Sequence, residues 1–287
     1  WSRPATAATR SPLPAGAGST AVREPEEQRP GVDQTFSSGG NTLACHIKQP
    51  PAGAFEGEAP GLILCHGFPI GPIDARRSAG TFPELIDRVA NEVGYLAMTF
   101  TFRGCGTSTG DFSLQGWIDD LRAAIDYVVR THGVRRVVLV GTNTGGSIAI
   151  CVAADDPRVD AAALLSPRAD FDDWADHPRR FLDHAREIGA IRTPGFPPSM
   201  DDWSRAFRRF RPTAAARRFA PRPLLVMHGE DDESVPTTDA RQLAQAHGSA
   251  ELTLLPGAGH RLRHDPRAIA ILLGWLDRIR VVSEAAV

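Results

Sequence analysis

The most constraining stretch of this chain is Gly141-Thr142-Asn143-Thr144-Gly145-Gly146, set between the apolar run Val137-Val138-Leu139-Val140 and a helix-like run from Ser147 to Ala154. A strand that passes into a helix through so short a turn leaves no room for side chains at the flanking positions, and glycine supplies that room. The central residue is then held in a strained backbone conformation that pushes its side chain out above the sheet. Here that residue is Asn143. A plain strand-to-helix glycine turn has the same local pattern, so the stretch takes its meaning from what the rest of the chain places beside it.

Strand-like and helix-like runs alternate along the chain. Val32 to Phe36 and Leu43 to Ile47 flank Ser37-Ser38-Gly39-Gly40-Asn41, a hairpin signal. Gly61 to Cys65 is a near-continuous apolar run, as in a strand buried on both faces of a parallel sheet. A helix is predicted over 82–93, with Leu85, Ile86, Val89 and Val93 on one face. Further strands are predicted over 95–102, 135–140, 159–165, 223–227 and 252–255, and further helices over 117–130, 237–246 and 266–279. This alternation predicts an α/β fold, a doubly wound and mostly parallel sheet. Residues 167–220 interrupt it, with helix-like pieces at about 173–188 and 201–210, and are read as a small helical cap inserted in a domain spanning 31–287. Residues 1–30, rich in Ala, Pro, Arg, Ser and Glu, are read as a flexible N-terminal arm.

Composition matters mainly for what it excludes. The chain has 287 residues, 42% hydrophobic and 23% charged, which suits a soluble globular protein. A formal net charge of −2 makes no electrostatic case for nucleic acid or an anionic membrane surface. No apolar run reaches membrane-spanning length, and the first residues lack the plan of a signal peptide, so a cytoplasmic protein is expected. Trp1 in place of Met implies that the native start is missing or altered. Cys45, Cys65, Cys105 and Cys151 form no C-x-x-C pair and suit neither a zinc site nor a disulfide framework, so reduced, buried thiols are expected. No cofactor and no metal is expected. The Gly-rich loop Arg103 to Gly110 lacks the Gly-Lys-Ser/Thr ending of a phosphate loop and the third spaced glycine of a dinucleotide turn, and is read as structural. The expected partner is a small-molecule substrate. A homodimer is left open, as is docking of the arm on a neighbouring subunit.

Ligands of such sheets sit beyond the carboxyl ends of the strands. Four loops begin there: His66-Gly67, the turn at Asn143, the loop holding Asp232 and the loop holding His260. The segments LILCHGF, FRGCGTSTG, VGTNTGG, HGEDDESVP and LPGAGH follow in that order. Together they resemble the α/β-hydrolase superfamily over about residues 32–282, closest to its short-chain esterase, peptidase and acyl-transfer branches, whose triad runs nucleophile, acid, His along the chain. By that resemblance Asn143 stands at the nucleophile position, His260 is the general base, and Asp232 orients and charge-stabilises it. Asp231 is the runner-up for the acid and Asp170 a weaker one. The resemblance also implies an oxyanion hole from the backbone N–H groups of Phe68 and Thr144, whatever residue stands at 143. His66 is read as hydrogen-bonding its own loop.

The family position of Asn143 holds Ser, sometimes Cys or Asp. A carboxamide has no proton to give up near neutral pH and no useful nucleophilic lone pair. Three readings stay open. The parent enzyme has Ser and this chain is a substituted, inactive form acting in its active version on an ester, thioester or amide carbonyl. Alternatively the parent has Asp, as in the dehalogenase and epoxide-hydrolase branches, and Asn is its isosteric counterpart. Or Asn143 is native, and His260 with Asp232 activates water or a substrate proton directly, giving a lyase, cyclase or isomerase, or a silent binding protein. Thr142, Thr144 and Cys105 are substitute nucleophiles by residue type, but none occupies the tip of the turn. In the cap, Trp174, Trp203, Phe207 and Phe210 lie among Arg179, Arg180, Arg186, Arg192, Arg205, Arg208 and Arg209. That mixture reads as an apolar substrate pocket with an anion-attracting rim, or as an amphipathic cap with solvated arginines.

Overall fold

The computed structural model describes residues 34–53, 58–78 and 82–285, with side chains through residue 280. The arm expected over residues 1–30 lies outside them. Among the described residues, eight strands make one sheet: β1 (Gln34–Ser38), β2 (Asn41–Lys48), β3 (Gly61–Cys65), β4 (Leu96–Phe100), β5 (Val137–Thr142), β6 (Val159–Leu165), β7 (Leu224–Gly229) and β8 (Glu251–Leu255). Their order is β1-β2-β4-β3-β5-β6-β7-β8. The β1–β2 and β2–β4 pairs are antiparallel and every other pair is parallel, the mostly parallel sheet that the alternation predicts. The helices are α1 (Pro72–Arg76), α2 (Pro83–Arg88), α3 (Leu114–His132), α4 (Thr144–Asp155), α5 (Asp172–Asp176), α6 (Pro178–Glu187), α7 (Met200–Arg209), α8 (Pro212–Phe219), α9 (Thr237–His247) and α10 (Pro266–Ala285).

The two-residue period of the strands divides the interior into two layers. Ile63, Met98, Phe100, Leu139, Leu164 and Val226 face one core, shared with Trp117, Leu121 and Ile125 of α3. Leu62, Leu64, Ala97, Val138, Val140 and Leu225 face the other, shared with Ile86 of α2 and with Trp275 and Leu276 of α10. Burial on both faces is why these strands read as continuous apolar runs rather than as alternating ones.

Three departures from the sequence reading have local causes. The helix predicted over 82–93 begins as α2 and loosens into a π-turn at Val89–Val93, closed by Gly94 at φ 85°. The one-turn helix α1 is too short to show a period. Helix α8, which opens on Pro212 at its first turn, falls inside the stretch read as cap but packs on α4 and α9. Helices α5, α6 and α7 make up the remainder of the insertion after β6, and α7 packs on α5 and α3.

This topology positions the loops that matter. Strands β3 and β5 are parallel neighbours with Cys65 opposite Gly141, so the loop carrying His66 and Phe68 leaves the sheet beside the turn at Asn143. Strands β7 and β8 pair Gly229 with Leu255, which brings the loops after them together at the same edge.

The Gly-rich loop after β4 is anchored from below. Asp120 of α3 is fully buried and accepts from the backbone N–H of Arg103 at 3.0 Å and from its Nε and Nη2 at 3.0 and 2.7 Å. Trp117 Nε1 donates to the Arg103 carbonyl at 3.0 Å. Removing one partner of a buried ion pair leaves the other charge uncompensated. Asp120→Ala is therefore expected to lower unfolding free energy by about 3–5 kcal/mol in urea denaturation. A loss under about 1 kcal/mol, the range of an exposed pair, would show that this anchor is not needed.

Candidate active site

The turn between β5 and α4 holds Asn143 at φ 49° and ψ −125°, outside the basins that L residues normally occupy. The backbone around it is too crowded for anything but glycine at two neighbouring positions. A Cβ on Gly141 would lie 2.5 Å from the Gly145 carbonyl oxygen, and one on Gly145 would lie 2.3 Å from the His66 carbonyl oxygen. The Asn143 N–H donates to the Leu165 carbonyl at 2.8 Å, so β5–β6 pairing runs on past the strand end and fixes the turn.

From this turn a hydrogen-bonded line crosses the edge of the sheet. The Asn143 Nδ2 donates to His260 Nε2 at 2.8 Å, and His260 Nδ1 donates to Asp232 Oδ2 at 2.8 Å. These partners assign the histidine proton to Nδ1, since Asp232 only accepts and the carboxamide nitrogen only donates. Asp232 has no exposed side-chain surface. Its Oδ1 accepts the backbone N–H groups of Ser234 and Val235 at 2.8 and 2.9 Å, and its Oδ2 also lies 3.1 Å from His228 Nε2. Burial disfavours the carboxylate, but hydrogen bonds from His228, His260, Val235 and Ser234 outweigh it and hold the carboxyl well below the usual carboxylate range.

The structure thus brings together Asn143, His260 and Asp232. Asp231 is exposed and its backbone bonds to the Ala258 carbonyl, while Asp170 accepts from the Asp172 N–H at 3.0 Å as a local cap. His228 is a partner that the sequence reading did not assign. It stands four residues before Asp232 in the same strand-end motif, and its Nε2 also donates to the Val235 carbonyl at 2.9 Å.

One expectation needs correction. The pair of N–H groups assigned to an oxyanion hole was to be independent of residue 143, yet Asn143 Oδ1 accepts the Thr144 N–H and also the Thr144 hydroxyl. A carboxamide spans far enough to meet His260 with one end and Thr144 with the other. The Phe68 N–H has no partner among the described residues. His66 donates from Nδ1 to the Gly67 carbonyl at 2.8 Å and accepts the Phe102 N–H on Nε2 at 3.0 Å, and burial lowers its pKa to about 4. It braces the loop.

A cavity of about 260 Å³ opens over this line, bounded by Phe68, Ile70, Ile73, Asn143, His260 and Arg263 among others. The cap aromatics do not line it. Trp174 stacks on Phe181 at 4.0 Å, Phe207 meets Trp174 edge-on at 5.7 Å, and Trp203 Nε1 donates to the Phe112 carbonyl at 3.1 Å. Trp203 and Phe207 sit one turn apart on α7 and point inward as core, and Trp174 faces a separate cavity of about 650 Å³ beside α6. Phe68 joins the two regions, 5.4 Å from Trp174 and 5.1 Å from Phe181. Five of the seven cap arginines are engaged elsewhere: Arg205 with Asp202, Arg208 with Asp176, Arg192 with the Ser108 carbonyl, Arg186 with the Phe196 carbonyl and Arg209 with Gln115. Of the substitute nucleophiles, Cys105 is buried and its thiol is pushed up to about 12, and the Thr144 hydroxyl is bonded to Asn143. No three His, Cys, Asp or Glu side chains converge on a metal site among the described residues, and none of the described helices is long and apolar enough to cross a membrane.

The sequence profile of the Alpha/beta hydrolase family matches residues 62–271. An uncharacterized protein of Salmonella typhimurium, YfhR, is 29% identical over 170 residues, 56% of this chain and 53% of its own length. The human protein ABHD12B is 26% identical over 191 residues, 64% of this chain and 49% of its own length. The chain thus spans about half the length of these curated relatives. Est1E from Butyrivibrio proteoclasticus, solved with ferulic acid bound, superposes with a TM-score of 0.64 at 20% identity, over 88% of this chain and 99% of that one.

The state of Asp232 has a consequence for pH. Its pKa is depressed on folding, so the stability it contributes is present above the ordinary carboxylate value of about 3.9 and is lost as pH falls toward the folded value. Asp232→Asn is expected to be less stable than the parent at pH 7, with the gap narrowing progressively as pH falls below about 5 in denaturant titrations. A gap that does not change with pH would mean that folding does not hold this carboxyl ionised.

Proposed function

The chain belongs to the alpha/beta hydrolase family, and from that membership we propose that the cavity over Asn143 receives the carbonyl group of an ester, thioester or amide. The observation that carries the proposal is the line Asp232–His260–residue 143, with 2.8 Å at both steps. With serine at 143, His260 Nε2 would take the hydroxyl proton as the oxygen attacks the carbonyl carbon. The developing oxyanion would be met by the N–H groups of Phe68 and Thr144. His260 would then hand the proton to the leaving group, and water would repeat the sequence to release the acid.

Asn143 stops this cycle at its first step. Its amide nitrogen shares its electron pair with the adjacent carbonyl, and its N–H points into the lone pair that should accept a proton. We read the chain as a hydrolase-type site held in a form that binds carbonyl compounds without forming an acyl-enzyme. Direct activation of water by His260 has the same hydrogen bond against it, because Nε2 is occupied until the carboxamide turns away.

Asn143→Ser is the test. It is expected to hydrolyse small p-nitrophenyl esters with a burst that reports an acyl-enzyme, and His260→Ala in that background is expected to lower kcat on the order of 10⁴-fold or more. The unmodified chain is expected to show no adduct by mass spectrometry after quenching. A folded Asn143→Ser protein without turnover and without an adduct at residue 143 would sink the proposal.

A further inference from the structure

The cavity that holds Asn143 and His260 is also lined by Arg77, Arg261 and Arg263, against the single carboxylate of Asp74. Asp74 is engaged by Arg261 at 3.4 Å. Arg263 is different. It is partly buried, its Nε is shielded from solvent with no hydrogen-bond partner, and it makes no ion pair with any described residue. Its guanidinium lies 5.9 Å from the centre of the Phe82 ring. Burial lowers its pKa, Arg261 adds to that and Asp74 offsets part of it, yet an arginine stays charged.

Other partly buried arginines among the described residues make ion pairs or carbonyl contacts, although the Nε of Arg168 is also buried without a hydrogen-bond partner. Arg103 meets Asp120, Arg158 meets Asp156, Arg168 meets Asp173, and Arg222 donates to the carbonyls of Asp156 and Val159. A desolvated cation with an idle donor is expensive unless something pairs with it. In Arg263 that cation shares a cavity with the group that would meet the reacting carbonyl. The guanidinium fork matches the oxygens of a carboxylate or a phosphate in two-point contact.

We infer that the natural ligand of this cavity is a small carbonyl compound that also carries an anionic group, carboxylate or phosphate, held by Arg263 while its carbonyl faces residue 143. The volume of about 260 Å³ lies just below the roughly 300–1,000 Å³ of pockets for drug-sized ligands, which sets the size. Ile70 and Ile73, 59% and 62% exposed, give its mouth an apolar lip for the rest of the ligand. Arg77, exposed on the same wall, adds attraction at longer range. The inference rests on the carbonyl-binding reading of the site but concerns a different residue.

The experiment compares three ligands of matched size by calorimetry on the unmodified chain: monomethyl glutarate, the methyl ester of 4-phosphonobutyrate, and neutral dimethyl glutarate. At least one anionic ester is expected to bind ten-fold or more tightly than the neutral one. Whichever anion gains more identifies the group. Arg263→Gln is expected to abolish the preference, and Arg263→Lys to retain part of it, with thermal unfolding used to check that both variants fold. The same ratio is read a second way, as kcat/KM for the p-nitrophenyl half-ester of glutarate against p-nitrophenyl butyrate in Asn143→Ser. Hydrolysis without an anion preference, or a preference that survives Arg263→Gln, overturns the inference and leaves the proposed function standing. An Arg263-dependent preference in binding with a silent Asn143→Ser does the reverse. Neither binding nor turnover would remove both.

Discussion

The site depends on one crowded turn. Between β5 and α4 the chain reverses so tightly that the backbone of residues 145 and 146 presses on Gly141, and the His66 carbonyl on Gly145. No side chain fits at either glycine, and Asn143 is left at a positive φ that costs on the order of 1–3 kcal/mol. The surrounding sheet sustains that strain. Asn143 is tied to Leu165 of the next strand, and α4 starts at once on the far side. What the strain secures is direction: the side chain at 143 stands above the carboxyl edge of the sheet, where the loops from β3, β7 and β8 converge. Those loops could approach from other angles, but none could form the line to His260 if residue 143 lay flat.

Much of the fold was legible because burial on both faces leaves an unambiguous trace. The runs Gly61–Cys65 and Val159–Leu165 begin and end where the strands do. The family resemblance carried by the turn at Asn143, the loop of Asp232 and the loop of His260 pointed to these three residues, which the structure places in one hydrogen-bonded line. Helices α1 and α8 left no comparable trace: one is a single turn, and the other opens on proline within an arginine-rich stretch. The cap aromatics show a further limit. Trp203 and Phe207 at i and i+4 mark an apolar helix face, and periodicity cannot say whether such a face meets a cavity or a core. Here it meets Phe112 and Phe181. The second histidine on Asp232 depends on how the chain turns after β7, and Arg263 on a short 3-10 turn, Leu262–His264, that carries no pattern at all.

Electrostatically the site has two unlike ends. At one, the carboxylate of Asp232 is fully enclosed yet accepts from two histidines and two backbone N–H groups, so its charge is distributed over four donors. That network fixes the ring of His260 and its tautomer, as an orienting carboxylate does in hydrolytic triads. At the other end the guanidinium of Arg263 has no such answer. The imidazole of His260 and the carboxamide of Asn143 line the same cavity as Arg263.

The carboxamide also explains how the rest of the apparatus can stay intact around it. On the proposed reading, a serine hydroxyl at 143 would engage His260 and leave the Thr144 N–H free for a substrate oxygen. Asn143 engages both, its nitrogen on His260 and its oxygen on the Thr144 N–H and hydroxyl. Asn143 thus occupies His260 Nε2 and the Thr144 N–H without a ligand. The carboxamide therefore leaves neither of these two groups unpaired. The same completeness has a consequence for binding. On the proposed carbonyl-binding reading, an entering carbonyl would have to displace the Asn143 oxygen from Thr144 or rely on the Phe68 N–H alone, and these contacts would contribute less than in a serine-bearing site. Ligand selection, on the same reading, would then fall to other groups of the cavity, among them the cation of Arg263, which makes no ion pair with any described residue.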